Sequence, residues 1–277
     1  MIFKNPCEQS KYQFISYNHN QNDSFGKLYE ITSSLEAYSP EEVLFYAAEV
    51  LSNIIASDDV AIYTVANGSY ARLFSATSQK ARELGNSVNY TKLEPVYEAL
   101  KNKKVYVNKA MDERYPLMAN AIYSEDEMQL IIMVWGIPWE RMTLSQANML
   151  TVISYLIQNA VVRANRYLEA LEYKRYVEGT NILGAEAFTS LVKAYLGAKN
   201  KELTECTFLS IQCEQSEVQN IGSKMSKKLR QTDFLGELKD GKLYALLANT
   251  NETDAEFVMA RFAELGIESE IREELEV

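Results

Sequence analysis

Arg230 and Asp233 stand three residues apart in the run Leu229-Arg230-Gln231-Thr232-Asp233-Phe234. An arginine fork can donate two parallel hydrogen bonds to O6 and N7 of guanine, a geometry lysine cannot reproduce. A carboxylate can accept from guanine N1 and N2 on the opposite edge. Together the two residues can read one purine, and Lys224, Lys227 and Lys228 lie close enough in sequence to offset phosphate charge. The same residues also suit an exposed ion pair at a helix end beside a solvated lysine face. Such pairs contribute under about 1 kcal/mol and recur on surfaces without function. Their surroundings must decide.

The elements that would position them are legible. A strand is expected from Glu205 to Gln212, a helix from Gln219 to Leu229, and then the Arg230 to Asp233 turn. Phe234 to Leu238 and Lys242 to Leu247 form a hairpin about Asp240-Gly241, a dipeptide favoured in two-residue turns. A helix from about Ala185 to Leu196 precedes this group. Thr253-Asp254-Ala255-Glu256 caps another that ends at Gly266, and a strand from Glu268 to Arg272 completes the sheet.

The first half has a different texture, because all five prolines lie at or before Pro138. The polar stretch Ser16 to Ser24 has too few apolar residues to pack, so residues 1–24 read as a disordered lead-in. Ser39-Pro40-Glu41-Glu42 opens a helix as a capping box. Strands Val60 to Val65 and Tyr70 to Phe74 follow, joined through Asn67-Gly68, which suits a tight hairpin because both residues tolerate positive φ. Further strands are expected at Val105 to Val107, Leu117 to Tyr123 and Met128 to Ile137. Thr143-Leu144-Ser145-Gln146 caps a long helix running to about Tyr176. Its apolar stripe, from Met149 through Val152, Leu156 and Val161 to Leu171, suits either core or a helix that pairs with a second copy or another partner.

Composition bounds the rest. The chain has 277 residues, which suggests two domains of ordinary size. A net charge of −10 argues against a general nucleic-acid binder. Cys206 and Cys213, seven apart near one strand, suggest neither a disulfide nor a zinc clip, so no metal site is expected. No apolar run approaches the roughly 20 residues of a membrane span, which reads as a soluble, cytoplasmic chain.

The order helix, hairpin, irregular segment, hairpin, helix over residues 25–165 resembles a GAF domain, an antiparallel sheet flanked by helices. Asn108-Lys109 and Asp112-Glu113 faintly match the ends of a cyclic-nucleotide signature, and a packing or partner-binding role fits this domain better than a ligand does. Residues 166–180 then read as a linker helix. Residues 181–277 resemble a shortened, degenerate GGDEF-like α/β domain. Diguanylate cyclases carry an Arg-x-x-Asp tetrad five residues before the Gly-Gly-Asp/Glu-Glu-Phe hairpin, and the tetrad binds cyclic di-GMP as an inhibitor. Here Arg230 and Asp233 match the tetrad, Lys239-Asp240-Gly241-Lys242-Leu243 occupies the hairpin, and Arg261 matches a further arginine that meets a second, stacked ligand molecule.

The catalytic half of that pattern is gone. Lys239 and Asp240 replace glycines that let the backbone approach GTP. The strand before ends in Gln212-Cys213-Glu214-Gln215, without the aspartate that holds magnesium. The chain is therefore expected not to be an enzyme and to have no catalytic residues. The whole arrangement is similar to the PelD family, receptors of the Pel exopolysaccharide machinery. That resemblance implies a cyclic di-GMP receptor that contacts a membrane-bound synthase complex, including a glycosyltransferase, at the inner face of the cell membrane. Members usually begin with membrane helices, so either these were removed or the chain is a soluble relative. An inactive interaction scaffold, which could be a homodimer, is the alternative, with residual nucleotide chemistry a distant third.

Overall fold

The computed structural model describes residues 26, 29, 31–33, 35–37, 39–171, 175–214, 217–272 and 275. The lead-in 1–24 lies outside them. The architecture is the expected mixed α/β one: an antiparallel sheet flanked by helices, joined by a long helix to a smaller α/β unit.

Helix α1 (Pro40–Ile55) starts where its residues dictate. Ser39 stays extended, its hydroxyl accepts the Glu42 N–H at 3.1 Å, and Pro40 takes the first turn. Strands β1 (Val60–Asn67), β2 (Tyr70–Ala76), β3 (Ser87–Asn89), β4 (Tyr106–Val107), β5 (Met118–Ser124) and β6 (Glu127–Val134) form one antiparallel sheet in the order β3-β2-β1-β6-β5-β4. Short helix α2 (Glu94–Lys101) lies between β3 and β4 in sequence. The sheet is covered on both faces. Val60, Ile62, Phe74 and Ile132 pack toward α1 and the long α3 (Leu144–Ala170), while Ala61, Tyr63, Leu73 and Ile131 pack with Tyr90, Val96 and Leu100. The face opposite α1 is thus filled by side chains.

The hairpin between β1 and β2 forms by another route than expected. Neither Asn67 nor Gly68 has positive φ. Instead the Asn67 side-chain oxygen accepts the N–H groups of Ser69 and Tyr70 at 3.3 and 3.1 Å, so the Asn side chain makes the turn. Helix α3 begins at the expected cap, with Thr143 accepting the Gln146 N–H at 3.3 Å, but stops at Ala170. Most of its stripe is core. Leu156 and Val161 pack partly buried against the main cluster, whereas Val152 is exposed.

The second sheet is built from β7 (Cys206–Gln212), β8 (Phe234–Glu237), β9 (Leu243–Ala248) and β10 (Glu268–Arg272), in the order β10-β7-β9-β8, all antiparallel. Helices α5 (Val218–Ser226) and α6 (Glu252–Ala263) cover one face through Val218, Met225, Val258 and Phe262. Helix α4 (Ala185–Asn200) covers the other. The cap of α6 is Asn251, two residues before the expected Thr253; its side chain accepts the Asp254 N–H at 2.8 Å.

The two sheets share a core. Phe45 on α1 and Phe74 on β2 meet Tyr195 on α4 and Phe234 on β8 in one aromatic group, with ring centroids 4.8 to 6.4 Å apart. Backbone pairs also cross: the Ala76 N–H reaches the Leu203 carbonyl at 2.9 Å.

Candidate functional site

After α5 the chain makes a short turn, with Lys228 and Leu229 both donating to the Met225 carbonyl. The Arg230 to Asp233 segment then closes on itself. The Asp233 N–H donates to the Arg230 carbonyl at 3.0 Å, and the Arg230 N–H donates back to Asp233 Oδ2 at 3.0 Å. The other carboxylate oxygen accepts the Ala248 N–H at 3.2 Å, which fastens the turn to the end of β9. Asp233 therefore has a structural task. Each of its oxygens still holds a second lone pair for another donor.

Burial pushes the Asp233 carboxyl above the usual carboxylate range. The two backbone N–H groups and the charges of Arg230 and Arg72 pull it partway back. The guanidinium of Arg230 is half-buried and makes no hydrogen bond or ion pair among the described residues. Both residues line a cavity of about 460 Å³, together with Thr180, Asn181, Ser226 and Gln231. Arg261, on α6, is held differently. Its Nη1 donates to the Lys228 carbonyl at 3.3 Å, so it braces the segment just before Arg230 and does not line that cavity. Lys224, Lys227 and Lys228 are exposed and outside the cavity walls.

The hairpin after this segment is closed by its own hydrogen bonds. The Gly241 N–H returns to the Leu238 carbonyl at 2.9 Å, the Leu238 N–H meets the Lys242 carbonyl, and Gly241 takes φ +73°. This makes a three-residue loop with a glycine bulge rather than the expected two-residue turn. Asp240 is used within it, accepting the Lys242 N–H at 3.0 Å and the Tyr244 hydroxyl at 2.8 Å. No group of three or more His, Cys, Asp or Glu side chains able to hold a metal ion occurs among the described residues.

A second cavity of about 480 Å³ lies between the sheets and shares Gln231 and Phe234 with the first. Sequence reasoning missed its residues. Arg72 and Glu41 line it, with Tyr195, Gln158 and Thr232. One signal was available. Arg72 alternates with Phe74 along β2, so a charge stands on the face where apolar residues point inward. The Glu41 Oε2 is buried with no hydrogen-bond partner, and burial raises its carboxyl above the ordinary value, offset in part by its own backbone N–H and by Arg175. Burial and the charges of Glu41, Cys206 and Asp233 hold the Tyr195 phenol well above its usual range.

No family model matches the sequence, and no curated protein matches it. Among solved structures, the chain is similar to PelD 158-CT from Pseudomonas aeruginosa PAO1 at 11% identity and TM-score 0.38, covering 88% of this chain and 90% of that one. The same fragment in complex with c-di-GMP matches at 14% identity and TM-score 0.39, covering 87% and 89%. The GAF domain of an Acinetobacter phosphoenolpyruvate-protein phosphotransferase matches at 11% identity and TM-score 0.39, covering 51% of this chain and 94% of that one. All three are distant in sequence and in superposition.

Proposed function

We propose that this protein is a non-enzymatic receptor for cyclic di-GMP, which reads one guanine of the dinucleotide with Arg230 and Asp233. The observation that carries the reading is the unengaged guanidinium of Arg230 beside a carboxylate at the wall of one cavity. The fork supplies the O6 and N7 contacts, and the free lone pairs of Asp233 face the N1 and N2 donors. The place of the tetrad before a degenerate hairpin names the nucleotide, by resemblance to the inhibitory site of diguanylate cyclases. Arg261 takes part by steadying the turn or by meeting a second, stacked ligand molecule. By the same resemblance, the receptor regulates Pel-type exopolysaccharide synthesis through a membrane-bound complex that includes a glycosyltransferase. No helix among the described residues is long and apolar enough to cross a membrane, so association would run through partners or through chain outside them.

Calorimetric titration of cyclic di-GMP into the purified chain tests the reading. Saturable binding is expected, and Arg230→Ala should weaken it by roughly 1.5–3 kcal/mol, tenfold or more. Equal affinity in that variant, or no binding by the unaltered chain, would refute the assignment.

A further inference from the structure

Two cavities meet at the Arg230 to Asp233 turn, and of the two only the first is lined by Arg230 and Asp233. Gln231 and Phe234 form walls of both. In the inter-sheet cavity, Arg72 stands on the inward face of β2 and its guanidinium makes no hydrogen bond or ion pair among the described residues. Gln231 and Thr232 of the turn line the same cavity, and the positive charge of Arg72 acts on the Asp233 carboxylate. Glu41, at the start of α1, lines the same cavity with an unpartnered Oε2. Tyr195, fully buried, lines the same cavity as Glu41 and Arg72.

Arg72 and Glu41 line one cavity, and the buried, unpartnered oxygen of Glu41 costs stability, because burying a polar atom without a partner is unfavourable. The two residues also repeat the chemistry of Arg230 and Asp233: a fork for O6 and N7, and an acceptor for N1 and N2. We propose that the ligand site extends through Gln231 and Phe234 into the inter-sheet cavity, where Arg72 and Glu41 read the second guanine of the same dinucleotide. This extension rests on the receptor reading above and adds to it a contact from the first sheet. One ligand molecule is then held by both halves of the chain.

Calorimetry with cyclic di-GMP on Arg72→Ala, Arg72→Lys and Glu41→Gln, alongside Arg230→Ala, tests it, with thermal unfolding of each variant as the control for folding. Arg72→Ala should lower affinity about tenfold or more while melting as the unaltered chain does. Arg72→Lys should not restore binding, because a point charge cannot replace the fork. Glu41→Gln should bind more weakly yet melt higher, a combination that a purely structural carboxylate would not give. Unchanged affinity in Arg72→Ala, with binding lost in Arg230→Ala, would confine the site to the turn and leave the receptor reading standing. Absence of binding by the unaltered chain would overturn both.

Discussion

The side-chain amide of Asn249 donates to the backbone carbonyl of Leu73 at 2.8 Å, crossing from the end of β9 to the strand that carries Arg72. The same nitrogen also reaches the Phe74 carbonyl at 3.0 Å, and the Asn249 carbonyl accepts from the Asn86 side chain at 3.1 Å. Asn249 is buried and sits at φ +46°, a region that asparagine tolerates better than most residues. Since Ala248 next to it donates to Asp233, the candidate site and the first sheet are joined through two consecutive residues. Asn249→Ala removes both donors and strains the backbone, so it should cost roughly 2–4 kcal/mol in urea unfolding. Asn249→Gly keeps the backbone conformation and should cost less. Equal losses in the two variants would show that the backbone angle contributes little.

Gly236 on β8 is required by packing. A Cβ there would lie 2.2 Å from Cγ of Phe188, which is fully buried under the sheet. Gly236→Ala should therefore destabilise by roughly 1–3 kcal/mol through overpacking. A melting temperature equal to that of the unaltered chain would mean that Phe188 moves freely.

Glu41 gives a pH dependence whose sign can be worked out. Its folded carboxyl is raised above the ordinary value of 4.5, chiefly by burial, so folding disfavours the charged form. The folded state gains from this group below pH 4.5 and loses that gain as pH rises through the raised value. Glu41→Gln never ionises. Its stability advantage over the unaltered chain should be present at pH 7 and shrink as the pH falls toward 4, measured by denaturant midpoints at both. An advantage that stays constant with pH would count against a buried charge.

Catalysis is expected to be absent. The hairpin is closed by its own hydrogen bonds, Asp240 is occupied by Lys242 and Tyr244, and in the proposed resemblance Lys239 stands in place of a cyclase glycine. Incubation with GTP and magnesium should give no cyclic dinucleotide by chromatography. Detectable product would require metal ligands other than those the hairpin resemblance supplies.

What could be read beforehand follows how local each signal is. The Ser39 and Thr143 caps are decided within four residues, and both helices begin where those residues place them. The Arg230 and Asp233 spacing is equally local, and the turn brings the two residues together. Turn type was harder. Asn67 and Gly68 suit a positive-φ turn, yet the Asn67 side chain offers its own route, and composition alone does not choose between them. Arg72, Glu41 and Tyr195 are far apart in sequence and meet only because α1, α4 and β2 pack against one another. The inward charge at Arg72 was the one clue, and its meaning depends on a neighbour in the second sheet.

The aromatic group of Phe45, Phe74, Tyr195 and Phe234 has a mechanical consequence. Two units joined only by a tether could swing apart, and a ligand could signal by setting the angle between them. Here the rings pack together and the backbone is hydrogen-bonded across the seam, so bending would have to part buried contacts. A message from the Arg230 turn would travel as stiffness, through a surface that becomes better ordered for whatever binds it.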